Sequence, residues 1–162
     1  MATTVAILGL GTMGSAIAVS LVSMGPRLVV WNRTQAKTRP FRARGVRVAR
    51  TVQEAVNASD VVLIVTSNVM DLDLQIGGIS VDVRRKQFVN LTTSMPHELR
   101  ALKAHIEAAG GAFLNGVVQC SAQEIGSAGA AITFSGDLSV WESRRTILKN
   151  LAPNATYIAG RY

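Results

Sequence analysis

Three features of this 162-residue chain predict a doubly wound α/β fold on a mostly parallel sheet. Residues 5–34 read as a strand, a glycine-rich turn, a helix and a second strand, in that order. The apolar runs Val-Ala-Ile-Leu at 5–8 and Val-Val-Leu-Ile-Val at 61–65 are continuous rather than alternating, as strands covered on both faces require. Strand-like and helix-like segments then keep alternating along the chain, with glycines between them. A hydrophobic content of 48% supports one full core, and the length falls short of two ordinary domains. Residues 1–162 are therefore expected to form a single domain.

Each element has a local warrant. Residues 5–8 form the first strand, and Gly9-x-Gly11-x-x-Gly14 follows at once. Residues 12–24 carry a helical apolar pattern, and residues 28–31 make the second strand. A helix at 35–44 ends at Arg44-Gly45, before a brief third strand at 46–49. Thr51 is placed to cap a helix running to Asn57, with Glu54 at the capping-box position. Ser59-Asp60 turns into the strand at 61–65, and a weaker helix at 69–76 is closed by Gly77-Gly78. Residues 88–91 make a strand, and a helix at 96–109 stops at Gly110-Gly111. Strands at 113–118 and 131–134, a helix at 138–151 and a short edge strand at 157–158 complete the pattern.

Such a sheet binds ligands outside the carboxyl ends of its strands, where strand order reverses. That rule selects residues 9–13, 32–34, 65–70 and 91–94. In the turn, Gly9 allows the tight bend, Gly11 lets an anion touch backbone, and Gly14 lets helix pack on strand. The segment from Gly9 and Leu10 through Gly11, Thr12 and Met13, with the positive end of the helix dipole, suits a pyrophosphate. Val65 and the small polar residues Thr66, Ser67, Thr92 and Thr93 are placed to reach a ribose, pyrophosphate or carboxamide. Thr92-Thr93-Ser94 before Pro96 also reads as a helix N-cap, and the two readings are compatible.

The second strand's tip discriminates between dinucleotides. An NAD site usually places Asp or Glu about 20 residues beyond the glycines, to accept from the ribose hydroxyls. Here Asn32-Arg33-Thr34 occupies that place, with Lys37 one helical turn further on. A carboxylate would repel the extra phosphate of NADP, whereas a guanidinium, a hydroxyl and an ammonium pair with it. NADPH (NADP+) is the expected cofactor.

Charge points the same way. Eight basic residues, Arg27 through Arg50, precede the first acidic residue, Glu54. Nine basic and ten acidic residues follow, so the formal +7 arises wholly in the first third. That field attracts phosphorylated ligands. No aromatics interleave with the arginines and no nucleic-acid motif is present, so a nucleic-acid partner is not expected. One cysteine, Cys120, excludes an internal disulfide and fits a reducing cytoplasm. The uncharged residues 1–26 lack a basic flank and are interrupted by Gly9, Gly11, Gly14 and serines, so no signal or membrane segment is read there. His97 and His105 read as solvated helix positions, Cys120 as a small buried hydrophobe, and Asp71 and Asp73 as an acidic helix start. No metal site or hydrolytic triad emerges.

Gly-Leu-Gly-Thr-Met-Gly at 9–14, Val-Trp-Asn-Arg-Thr at 30–34 and Asn-Leu-Thr-Thr-Ser-Met-Pro at 90–96 resemble the cofactor half of the NADPH-dependent imine reductases. These belong to the 3-hydroxyacid dehydrogenase group, which includes 6-phosphogluconate dehydrogenase. Phe-Leu-Asn-Gly at 113–116, Gln-Glu-Ile-Gly at 123–126 and Phe-Ser-Gly at 134–136 extend the resemblance across residues 3–160.

The resemblance implies a Rossmann domain with Gly9, Gly11, Thr12 and Met13 at the pyrophosphate, and Asn32, Arg33, Thr34 and Lys37 at the 2′-phosphate. It implies Thr66 beside the nicotinamide ribose, Thr92 and Thr93 beside the nicotinamide, and residues 118–126 facing the substrate. Family members often carry Asp where Asn115 stands and Pro where Ala122 stands. In the family a long helix leads into a helical domain that builds the dimer and carries the proton-transfer group. That group is Asp or Tyr in imine reductases and Lys in hydroxyacid dehydrogenases. Residues 1–162 match the half without it, so no catalytic residue is assigned.

Two functions are then expected. One is an oxidoreductase acting on a small imine or carbonyl with a helical second domain or subunit. The other is a stand-alone NADPH-binding module. Self-association or a helical partner is expected at a face near Phe134, Trp141 and Ile158.

Overall fold

The computed structural model describes residues 2–69 and 82–160. Its sheet begins with β1 (Thr4–Leu8), β2 (Arg27–Trp31), β3 (Arg47–Val48), β4 (Val61–Ile64), β5 (Gln87–Asn90) and β6 (Ala112–Val118). These pair in parallel in the order β3-β2-β1-β4-β5-β6, the doubly wound arrangement. β7 (Ile132–Gly136) runs antiparallel to β6, and β8 (Thr156–Tyr157) adds a parallel edge. The helices are α1 (Thr12–Met24), α2 (Arg39–Arg42), α3 (Val52–Asn57), α4 (Pro96–Ala108) and α5 (Leu138–Leu151).

The continuous apolar strands are explained by two cores, one on each face. Val5 and Ile7 of β1 pack with Ile17 and Leu21 of α1 and with Trp141 and Leu148 of α5. Ala6 and Leu8 point the other way, toward Val52 and Val56 of α3 and Leu102 and Ile106 of α4. Both faces of β1 are therefore dry, and alternation would bury polar groups without partners. Phe88, Phe113 and Phe134 are fully buried, and truncating such a side chain costs typically about 3–5 kcal/mol. Strand order reverses between β1 and β4, which opens a crevice at their carboxyl ends, lined by Gly9, Gly11 and Val65.

Several local expectations are corrected. The helix expected at 35–44 is broken into a 3₁₀ turn, Gln35–Thr38, followed by the single-turn α2. Pro40 has no N–H to donate to the Ala36 carbonyl, and Arg39 N–H takes that carbonyl instead. Gly45, at φ +76°, then turns the chain into β3, which is shorter than the strand expected at 46–49. Thr51 Oγ1 does accept from Glu54 N–H at 3.0 Å. The Glu54 carboxylate, however, accepts from Arg50 N–H at 2.8 Å and from the Arg47 guanidinium at 3.4 Å. The Arg50 amide is the main reason the Glu54 carboxyl lies below its ordinary range. The N-cap of α4 is Met95, not a residue of Thr92-Thr93-Ser94, and its N–H donates to the Glu98 carboxylate at 2.9 Å. The helix expected at 69–76, with Asp71 and Asp73, lies outside the described residues apart from Val69.

The association face is also corrected. Phe134 is fully buried and Trp141 only 8% exposed, so neither forms a surface. Their rings lie 5.4 Å apart, and Tyr157 of β8 stacks on Trp141 at 6.0 Å while its hydroxyl donates to Gly136 O. The edge strand thus closes over the indole. Ile158 remains outside, at 55% exposure. Among the described residues, no helix is long and apolar enough to cross a membrane.

Candidate functional site

The crevice is built on a turn whose three glycines answer to different demands. Gly9 sits at φ +107°, and a Cβ there would lie 2.3 Å from Val65 O at the exit of β4. A Cβ on Gly14 would lie 2.0 Å from Gly9 O, because α1 folds back directly onto the turn. Gly11 is different: a Cβ on it meets nothing within 4 Å. The space in front of Gly11 faces the first turn of α1, whose N-cap is Gly11 and which no side chain caps. Exposed N–H groups, a positive helix end and open room coincide there, as an anion site needs.

Around this turn the crevice has two halves, which share Gly11, Val65, Thr66 and Ser67. The first half is walled by Asn32, Arg33, Thr34 and Lys37, from the tip of β2 and the 3₁₀ turn. The second is walled by Met13, Leu91, Thr92 and Thr93, with Val118 and Cys120 from the end of β6. No carboxylate lines either half among the described residues. One half is cationic and hydroxylic; the other combines an apolar wall with the hydroxyls of Thr12, Thr66, Ser67, Thr92 and Thr93.

Most residues singled out from the sequence converge here, with two differences of role. Leu10 is buried, and its N–H is already taken by Asn32 Oδ1 at 2.8 Å. Asn32 itself is 9% exposed and also donates through Nδ2 to Thr34 O at 3.0 Å. Arg33, Thr34 and Lys37 are exposed at the rim. Arg39, Arg42, Arg47 and Arg50 are exposed but line neither half.

Thr92 is bonded to a buried polar pair, Asn90 and Asn115, that sequence reasoning missed. Asn115 Oδ1 on β6 accepts from Asn90 Nδ2 on β5 at 2.8 Å. Asn90 also brackets Thr92, donating to its carbonyl at 3.1 Å and accepting from its N–H at 3.2 Å. Thr92 Oγ1 accepts from Thr66 N–H at 3.0 Å, and its own proton lies toward Ile64 O. Strands β4, β5 and β6 are thereby tied at their carboxyl ends. The available signal was a polar residue closing each apolar run, Asn90 after Phe-Val and Asn115 after Phe-Leu.

Beyond the second half, Ser121 N–H and Oγ both donate to the Glu124 carboxylate, at 2.7 and 2.8 Å. Those bonds hold the Glu124 carboxyl below its ordinary range. Cys120 is a free, half-buried thiol in the crevice wall. His97 and His105 are exposed on α4 and line neither half. Among the described residues, no group of three His, Cys, Asp or Glu is placed to hold a metal.

Residues 4–160 match the family described as the NAD binding domain of 6-phosphogluconate dehydrogenase. An NADPH-dependent reductive aminase of Aspergillus oryzae is 32% identical over 133 residues, covering 82% of this chain and 45% of that protein. The cytokine-like nuclear factor N-PAC of Drosophila melanogaster is 33% identical over 156 residues, 93% of this chain but 26% of that one. An imine reductase from Myxococcus stipitatus, solved in complex with NADP+, superposes with a TM-score of 0.91 at 29% identity. That match covers 96% of this chain and 55% of the reductase. The chain thus spans about half or less of the length of each of these relatives. With the fold, the turn and the family match in agreement, the chain belongs to the family of the NAD binding domain of 6-phosphogluconate dehydrogenase.

Proposed function

We propose that this chain binds NADPH and holds its nicotinamide for hydride transfer to a small imine or carbonyl. The observation that carries the reading is the first half of the crevice, where Arg33, Thr34 and Lys37 stand beside the glycine turn and, among the described residues, no carboxylate does. The residues fit the cofactor because Gly11, the open glycine of the turn, leaves room for a diphosphate where a side chain would obstruct it. In this reading the α1 end from Gly11 to Met13 holds the diphosphate, and Arg33, Thr34 and Lys37 hold the 2′-phosphate. Thr66 and Ser67 flank the nicotinamide ribose, and Thr92 and Thr93 face the nicotinamide end. Bound there, the reduced cofactor supplies a hydride.

The protein's own share of that chemistry is binding, orientation and an apolar wall. Leu91, Val118 and Met13 make the apolar side of the second half. Reduction of an imine also draws on a placed acid, worth typically ~10²–10⁴-fold. The only titratable side chain lining the second half, among the described residues, is Cys120. We assign proton supply to a further domain or subunit, in keeping with relatives about twice this length.

Isothermal titration tests the reading. NADPH is expected to bind at least about tenfold more tightly than NADH, one charge-assisted contact being worth that much. Equal affinities, or a preference for NADH, would overturn it. A second reading, a non-catalytic NADPH-binding module, is favoured by the N-PAC relatives, which are named as nuclear factors. The two diverge with 1-pyrroline as substrate. A catalytic half oxidises NADPH once a helical domain is supplied, and a binding module does not.

Partner contact is assigned to the β6–β8 side, where Val117, Leu138 and Ile158 are 55%, 48% and 55% exposed. Sedimentation over a range of concentrations should show self-association that Ile158→Lys weakens. A strictly monomeric protein at high concentration would count against this face.

A further inference from the structure

The Asn32 side chain touches both the glycine turn and the loop at the β2 tip. Its Oδ1 accepts from Leu10 N–H at 2.8 Å, across 22 residues of sequence. Its Nδ2 donates to Thr34 O at 3.0 Å. The partners settle the amide's orientation, since an N–H requires an acceptor and a carbonyl a donor. Thr34 O also accepts from Lys37 N–H at 3.1 Å, and Gln35 Nε2 donates to Asn32 O at 3.2 Å. The amide therefore joins the turn to a compact loop that carries Arg33, Thr34 and Lys37. At 9% exposure, its bonds are shielded from competing water.

Resting on the cofactor reading above, we propose that Asn32 is a positioning residue rather than a phosphate ligand. It is a strut that sets the spacing between the diphosphate turn and the 2′-phosphate clamp. The role needs one acceptor and one donor on a single short side chain. Asp supplies only the acceptor, and its carboxylate would face the Thr34 carbonyl. Ala supplies neither, and leaves the Leu10 N–H buried without a partner. A phosphate ligand would matter only to NADPH. A strut matters to the protein before any nucleotide arrives, and to NADH as well.

Amide hydrogen exchange by NMR on the nucleotide-free protein tests the strut directly. Asn32→Ala should accelerate exchange at Leu10 and Lys37 by about tenfold or more, the loss of one buried bond. Asn32→Asp should keep Leu10 slow and accelerate Lys37 alone, which also provides a variant with no orphaned turn amide. Arg33→Ala should change neither. Titration completes the test: Asn32→Ala should weaken NADH as well as NADPH. The cost of Arg33→Ala in NADPH affinity should shrink from at least about tenfold in the parent to under about threefold in the Asn32→Ala background, because the pair is coupled. Unchanged Leu10 exchange in Asn32→Ala, or an Arg33→Ala cost equal in both backgrounds, overturns the proposal. The exchange readout uses no nucleotide, so it separates failure of the strut from failure of the cofactor reading.

Discussion

Gly14→Ala should destabilise the fold by about 3 kcal/mol and abolish nucleotide binding, whereas Gly11→Ala should abolish binding and leave stability within about 1 kcal/mol of the parent. Both glycines belong to one motif, yet their surroundings differ. The Cβ at Gly14 would sit 2.0 Å from Gly9 O and 3.0 Å from Gly9 C, both backbone atoms that cannot rotate away. Alanine gains up to about 1 kcal/mol in helix propensity over glycine, which is too little to offset separating α1 from the turn. The turn itself has no slack, because Gly9 is held by its N–H bond to Trp31 O at 2.9 Å and lies against Val65. Gly11 has φ −71° and ψ −169°, which alanine adopts without strain, and its Cβ would meet nothing within 4 Å. The methyl would project only into the room that an anion needs. Urea denaturation and titration calorimetry on the two variants separate the effects. Equal loss of stability in both would mean that Gly11 is as confined as Gly14.

That contrast marks how far the sequence could be read. The glycine spacing predicts a bend, an approach and a packing contact, and those tasks are local to the turn. The doubly wound parallel sheet is legible too, because unbroken apolar strands separated by helices must be covered on both faces. The Asn32 strut is not legible, since Leu10 becomes its neighbour only when β1 and β2 pair in register, Leu8 beside Trp31. The Asn90–Asn115 bond depends in the same way on β5 lying beside β6. Pro40 is visible in the sequence, and its one missing N–H decides the break in the helix expected at 35–44. The burial of Trp141 is not legible, because Tyr157 comes to stack on it only when the short edge strand β8 pairs with β7.

The remaining large effect concerns selectivity. Arg33→Ala should lower NADPH affinity by about 1.5–3 kcal/mol and leave NADH nearly unchanged, collapsing the preference for the phosphorylated cofactor. Lys37→Ala should act in the same direction with a smaller cost, because an ammonium makes a point contact where a guanidinium offers a fork. Both side chains stand exposed at the rim of the first half, so salt should screen their contribution. NADPH affinity should therefore fall with ionic strength, while NADH affinity falls much less. The outer arginines, Arg39 and Arg42, are exposed and line neither half, so they act only through the field. At 0.15 M salt the screening length is about 8 Å, which leaves an Arg39→Gln, Arg42→Gln double variant with unchanged affinity. At low salt the same variant should slow NADPH association, because long-range steering returns. Titration of both cofactors across a salt series, with stopped-flow association rates, reads all of these together. If Arg33→Ala weakens NADH as much as NADPH, the guanidinium serves the diphosphate or the fold, and the 2′-phosphate must be held elsewhere.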